Sequence, residues 1–186
     1  KKALSIIHRH FFSLEADLDI LLDPLDFIAN SDAIVCTSYD TCYFGRAINF
    51  DGEKFYVVEE YYEAEKTTEQ HAQVIGEIME RRLVDYCFID SAAQQTRFDL
   101  AQNYDITTTN AKKSVNDGIA HVSSLVENNR LIIDQRCLET LRSMDQYRWD
   151  PNPNLMREKP LHDSSSHMAD ALRYALYSFE TNATSF

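Results

Sequence analysis

The chain has 186 residues, enough for one domain with a sizeable core, and 44% of them are hydrophobic, with only four glycines and four prolines. Its formal net charge of −12 argues against a passive nucleic-acid coat, whose affinity would come mainly from basic patches, but leaves room for an enzyme that meets DNA through bound cations and a local basic rim. No run of about 18 apolar residues offers a membrane span, and the charged start "KKALSIIHRHFFSLEADLDILL" is not laid out as a signal peptide, so a cytosolic chain is expected.

Residues 2–22 read as a helix, with Leu4, Ile7, Phe11, Leu14 and Leu18 about one turn apart. Pro24 and a polar cluster in "DPLDFIANSD" then mark a connection. Three β-like runs follow: "AIVCTSY" (33–39), "CYFGRAINF" (42–50) and "KFYVVEEYY" (54–62). The last two flank Asp51-Gly52, a strong hairpin signal.

A helix opens at Thr67 or Thr68 and runs to about Arg82, with Glu69 and Glu77 outward. "VDYCFID" (84–90) reads as a central strand covered on both faces. A helix over "AAQQTRFDLAQNY" and a short strand over "DITTT" come next. Ser114 starts a helix to about Glu127, "RLIID" is a strand and "QRCLETLRSMDQY" a helix. The loop "RWDPNPNLMREKPLHD", with three prolines, leads to a last helix beginning near Ser164. This order predicts an α/β layer architecture: a hairpin-built edge, then parallel strands added through crossover helices. Cys36, Cys42, Cys87 and Cys137 are scattered without metal-site spacing and read mostly as small buried hydrophobes.

Acidic residues at strand ends carry the chemistry. Asp40 directly follows one strand and Asp90 another, and side chains at the ends of central strands of an open sheet face a crevice. Were those strands neighbours, the two carboxylates would repel unless a cation sat between them. The plainer reading of either residue alone is a turn aspartate. In "HDSSSHMADALRYALYSF" (162–179), Asp163, His167 and Asp170 share one helix face at i, i+4 and i+3 spacings. Asp163 has an equally good role as a helix cap. Asp170 lies about two turns in, beside the apolar face, where a carboxylate is costly unless it is paired or metal-bound. His167 fits either an interface histidine or a group orienting a ligand or water. Three carboxylates from two strand ends and a helix form a hard oxygen site suited to magnesium or manganese, and two such ions would clamp a phosphodiester.

Together "SYDTCYFGRAINFDGEKFYVVEEYY", "CFIDSAAQQTRFDL", "AKKSVNDGIAHVSSLVENNRLII" and "SHMADALRYAL" resemble the nuclease domain of tailed-phage large terminase subunits, across about residues 33–180. The His-x-x-Asp-Ala-x-Arg-Tyr-Ala signature is the most specific piece. The resemblance implies a ribonuclease-H-like fold, with a mixed sheet of antiparallel hairpin strands followed by parallel strands and flanking helices. It also implies a two-metal endonuclease, using Mg2+ or Mn2+, that cuts double-stranded concatemeric viral DNA during packaging. Asp40, Asp90 and Asp170 fall where the family keeps its metal carboxylates, His167 where some members have a histidine near the site, and Asp163 at a variable acidic position. The first motif departs from the family in lacking glycines around Asp40, and the loop between the first two strands is short.

No G-x-x-x-x-G-K-[ST] loop is present, so the expectation is a nuclease domain over 31–186 without its ATPase motor, residues 1–30 being a candidate remnant of the connection. The implied partners are double-stranded DNA, the motor, a small terminase subunit and the portal, in host cytoplasm at the procapsid and with no membrane. Lys112, Lys113, Arg97, Arg157 and Lys159 are candidate DNA contacts, against the plainer reading of solvated surface charge. Arg173 is set to pair with an acidic neighbour. Two alternatives stay open: another ribonuclease-H-like enzyme of the resolvase or transposase kind, and a degenerate domain that binds only DNA or a partner.

Overall fold

The computed structural model describes residues 32–39, 42–152 and 159–183. The expected helix over 2–22 and the connection after it lie outside these residues, as do Asp40 and Arg157. The elements in chain order are β1 (Asp32–Tyr39), β2 (Cys42–Phe50), β3 (Phe55–Ala64), α1 (Thr68–Arg82), β4 (Val84–Ile89), α2 (Gln94–Tyr104), β5 (Thr109–Asn110), α3 (Val115–Glu127), β6 (Leu131–Ile133), α4 (Leu138–Gln146) and α5 (Ser164–Ala183). They form one six-stranded sheet in the order β5-β4-β1-β2-β3-β6. β1–β2 and β2–β3 are antiparallel, whereas β1–β4, β4–β5 and β3–β6 are parallel.

The mixed ribonuclease-H-like sheet expected from the sequence is therefore present, with one correction. The β1–β2–β3 meander occupies the centre of the sheet, not an edge, because parallel strands add on both sides of it. The β2–β3 turn is built by Asp51, whose Oδ1 accepts the N–H groups of Glu53 (2.8 Å) and Lys54 (2.6 Å). Gly52 supplies the positive φ of 96° that this turn requires.

Strand alternation divides the core. On one face, Ala47, Cys87 and Ile89 pack with Ala72, Ile75 and Ile78 of α1 and Leu100 of α2. On the other, Ile48, Phe55, Val57 and Phe88 pack with residues of α3, α4 and α5, including Ile119, Met144, Leu172 and Leu176. Burial pushes the thiols of Cys87 and Cys137 up to about 12, in keeping with an inert role for both.

Several boundaries differ from the expected ones for local reasons. Only Thr109–Asn110 of the "DITTT" region pairs as strand. Asp105 ends α2 in the left-handed region (φ 55°), and the Ile106 N–H turns back to the Leu100 carbonyl at 3.0 Å. α4 starts at Leu138, later than its periodicity suggests, because the Cys137 N–H closes a turn onto the Asp134 carbonyl at 2.9 Å. β4 is covered on both faces only over Cys87–Ile89, its Asp85 and Tyr86 being exposed. At α1, Thr67 and Gln70 form a reciprocal capping box.

Candidate metal centre

β1 and β4 run side by side and parallel, with Thr37 opposite Ile89. Their C-terminal ends therefore lie side by side at one end of the sheet, and Asp90 is the first residue beyond β4. The Asp90 carboxylate is held by its own turn: Oδ1 accepts the Ala92 N–H at 2.7 Å, and the backbone carbonyl accepts the Ala93 N–H at 3.0 Å. The Lys113 ammonium lies 2.7 Å from the same Oδ1, and the Tyr174 hydroxyl donates to Oδ2 at 3.5 Å. Burial works to raise the pKa of this group. The Ala92 N–H, the Lys113 charge and the Tyr174 hydroxyl outweigh it and hold the carboxyl below its ordinary value, so it stays ionised.

Asp170 projects from α5. Its Oδ1 accepts from Arg173 Nη2 at 2.7 Å, one helical step of three away, and from the Tyr147 hydroxyl at 3.5 Å. Arg173 is 3% exposed. Its Nη1 also donates to the Ser114 carbonyl (3.0 Å) and the Lys113 carbonyl (3.3 Å), and its guanidinium lies 4.7 Å from the centroid of the Tyr174 ring. The passage beneath α3 is open because residue 118 is glycine: a Cβ there would lie 2.7 Å from Arg173 Cγ and Cδ. Burial first, then the charges of Asp170 and Asp90, push the Tyr174 hydroxyl up to about 12, so it remains a donor.

Asp90 and Asp170 thus belong to one network, through Lys113, Arg173 and Tyr174. His167 sits one turn before Asp170 on α5, half-buried, its ring edge-on to that of His162 with centroids 5.0 Å apart. Asp163 is the α5 cap: Oδ1 accepts the Ser165 N–H at 3.0 Å and its hydroxyl at 2.5 Å, while Oδ2 lies 3.2 Å from Arg148. The Ser165 hydroxyl is the largest influence lowering its pKa, ahead of the opposing effect of burial.

Among the described residues no three acidic, histidine or cysteine side chains converge as a metal cage. The described donors, Asp90 and Asp170, are hard oxygen ligands in a partly buried setting, with one oxygen of each engaged by cationic partners. That donor set fits magnesium or manganese. Asp40 lies outside the described residues.

The basic candidates separate. Arg97 ties α2 to the β5 edge, donating to Thr108 Oγ1 (3.2 Å), the Thr108 carbonyl (3.3 Å) and Asn110. Lys112 is bound to α5 through its N–H on Ser178 Oγ (2.8 Å) and its ammonium on the Thr181 carbonyl (3.4 Å). Lys113 is the cation on Asp90, and Lys159 is exposed on the loop before α5. Tyr147 escaped the sequence reading because it contacts Asp170 from just past the end of another helix, α4, 23 residues away. Tyr174 was findable, since Asp170 and Tyr174 are four residues apart on α5.

A sheet of this order, carrying one carboxylate at a parallel strand end and another on the closing helix, fits the ribonuclease-H-like class of domain. Residues 31–179 match the family described as the terminase RNaseH-like domain, and the chain belongs to that family. It is 39% identical over 173 residues to the terminase large subunit of Escherichia phage T5, covering 91% of this chain and 37% of that protein. The chain therefore spans little more than a third of that relative's length. Among solved structures, the large terminase of a thermophilic bacteriophage in complex with ATP-gamma-S superimposes with a TM-score of 0.77 at 21% identity, covering 94% of this chain and 45% of that one. The large terminase nuclease domain of bacteriophage SPP1 with bound Mn gives a TM-score of 0.65 at 18% identity, covering 88% and 93%. Among the described residues no helix is long and apolar enough to cross a membrane.

Proposed function

We propose that this domain is a metal-dependent endonuclease that cuts double-stranded viral DNA concatemers during genome packaging, as the nuclease part of a large terminase subunit. The observation that carries this reading is the joining of Asp90 and Asp170 in one polar network at the end of the parallel strands, in a chain of the terminase ribonuclease-H-like family. Asp90 and Asp170, with Asp40, would hold two Mg2+ or Mn2+ ions; the SPP1 relative was solved with Mn. Such ions supply positive charge to a phosphodiester and lower the pKa of a bound water.

The chain's own residues prepare that site. The Ala92 N–H fixes the Asp90 carboxylate, and Arg173 engages Oδ1 of Asp170, leaving Oδ2 for a cation. His167, half-buried a turn away, would orient a water or phosphate, and Asp163, which supports α5 as its cap, would be a further ligand. Lys113 and Lys159 are the proposed phosphate contacts, joined in sequence by Arg157; Arg97 and Lys112 are proposed as weaker ones, their donors being engaged within the fold. In the complete assembly the domain would act with an ATPase motor, a small terminase subunit and the portal, at the procapsid in host cytoplasm.

Plasmid cleavage with manganese, with magnesium and with EDTA tests the proposal. Cleavage is expected to require the metal and to fall by at least about 10³-fold in Asp90→Asn and in Asp170→Asn, since each removes a ligand charge where phosphoryl charge must be held. Unchanged cleavage in either folded variant would remove the nuclease reading. A folded wild-type domain that binds DNA but never cuts it would leave the binding-only alternative.

A further inference from the structure

We propose that Lys113 is a built-in counter-ion of the metal centre, whose ammonium exchanges with the divalent cation at Asp90. The inference rests on the metal-centre reading above and deepens it. Asp90 and Asp170 each carry one cationic partner at 2.7 Å, but the two partners are held differently.

Arg173 cannot leave Asp170 cheaply. It is 3% exposed, its Nη1 is bonded to the carbonyls of Lys113 and Ser114, and its stem fills the space that Gly118 leaves under α3. Lys113 is the opposite case. Its side chain is 43% exposed, and its ammonium contact is Asp90 Oδ1. A lysine ammonium is a compact, well-hydrated charge on a flexible stem, able to swing into water at little cost.

Geometry then sets the competition. Oδ1 of Asp90 already accepts the Ala92 N–H at 2.7 Å in addition to the ammonium. A cation that bound Asp90 through Oδ1, alone or together with Oδ2, would take the ammonium's place or crowd against it, since two positive charges about 3–4 Å apart repel strongly in a partly buried setting. Asp90 would therefore be shared: the ammonium neutralises it in the metal-free domain, and Asp90 would exchange the ammonium for a divalent cation at the strand end. The backbone of Lys113 stays anchored by Arg173, so the displaced ammonium remains beside the centre, within reach of a phosphate bound there.

The test is Mn2+ binding to the whole metal-stripped chain, measured by calorimetry without DNA. The variants are Lys113→Met, which keeps the aliphatic stem, Lys113→Ala, and Lys112→Met as the charge-matched control. Lys112 neighbours Lys113, but its ammonium is 3.4 Å from the Thr181 carbonyl and not on Asp90. Removing the competing ammonium is expected to tighten Mn2+ binding roughly tenfold in both Lys113 variants, the scale of one charge-assisted hydrogen bond no longer broken on binding. Lys112→Met is expected to bind as wild type. Thermal unfolding of the same samples should show Lys113→Met less stable than wild type before Mn2+ and gaining more from it. Equal or weaker binding in folded Lys113 variants overturns the exchange while leaving the metal centre standing, and so does equal tightening in Lys112→Met, which would reduce the effect to net charge. Absence of Mn2+ binding in wild type and variants alike at millimolar concentration overturns the exchange and the metal centre together.

Discussion

Arg46 and Arg173 are both buried, at 1% and 3% exposure, and the regions around them use a guanidinium for opposite ends. Arg46, on central strand β2, donates through Nε to Thr140 Oγ1 (2.8 Å) and through Nη1 to the Met168 carbonyl (2.7 Å). The Thr140 hydroxyl in turn donates a hydrogen bond to Glu60 Oε2 at 2.7 Å, and Glu60 also accepts the N–H groups of Glu139 and Thr140. One buried charge thereby ties the sheet to the start of α4 and to the backbone of α5. Arg173 also binds backbone carbonyls, but a further donor goes to Asp170, a carboxylate 28% exposed at the proposed centre. The contrast separates a clamp, whose Thr140 and Met168 partners lie inside the fold, from a positioning device whose last partner faces the proposed centre.

The clamp should dominate stability. Arg46→Met keeps the stem but deletes two charge-assisted hydrogen bonds and leaves Thr140 without its donor. Each such bond contributes about 1.5–3 kcal/mol, partly offset because a charge no longer has to be buried, giving a net loss of about 3 kcal/mol in urea unfolding. Cleavage per folded molecule should stay within a few-fold of wild type. A loss of cleavage far beyond the loss of folded protein would mean that Arg46 also serves the centre, through the Met168 turn of α5.

Reading the placement of these two regions from sequence succeeds unequally. The positions of Asp90 at a strand end and of Asp170 on the last helix are legible because a carboxylate directly after an apolar run, or beside the apolar face of a helix, breaks a local pattern. The hairpin at Asp51-Gly52 and the helix start at Thr67 are equally local, since the chemistry lies within four residues. Arg46 is a harder case. In "CYFGRAINF" it alternates with Phe44, Ile48 and Phe50 on one face, a signal of burial that can be read, but its partners are 94 and 122 residues away. The central position of the meander is hidden for the same reason. Strand identity comes from local residues, whereas the pairing of β1 with β4 and of β3 with β6 is decided by packing across the chain. The contact of Lys113 with Asp90 joins residues 23 positions apart, on a loop whose course no periodicity describes.

Gly118→Ala probes the positioning device without touching its charges. The new methyl would meet Arg173 Cγ and Cδ at 2.7 Å, and the guanidinium end is pinned by the Lys113 and Ser114 carbonyls and by Asp170. Overpacking of this kind costs about 1–3 kcal/mol, against about 1 kcal/mol regained from alanine's better helix propensity. A net loss of up to about 2 kcal/mol is expected. Cleavage should fall at least about tenfold in protein that is still folded, because a displacement of Asp170 by about 1 Å is enough to misalign a ligand. Thermal unfolding and plasmid cleavage on the same sample separate the two effects. Full activity in a destabilised variant would put Arg173 in the same class as Arg46.

The smallest effect falls on the hydroxyl at the heart of the clamp. Thr140 is fully buried, and its Oγ1 accepts from Arg46 and donates to Glu60. Thr140→Val preserves shape and removes that relay, whereas Thr140→Ser preserves the relay and removes a methyl. Losing the relay leaves Arg46 Nε without that acceptor, while Glu60 keeps the two α4 N–H groups, so valine should cost about 1–2 kcal/mol. Serine should cost about 1 kcal/mol or less, the scale of one buried methyl group. Equilibrium urea unfolding of the pair decides which matters more, the hydrogen bond or the packing. If serine proved the more damaging, the polar clamp would hold α4 mainly through Glu60 and its helix N-terminus, and Thr140 would contribute little to holding Arg46.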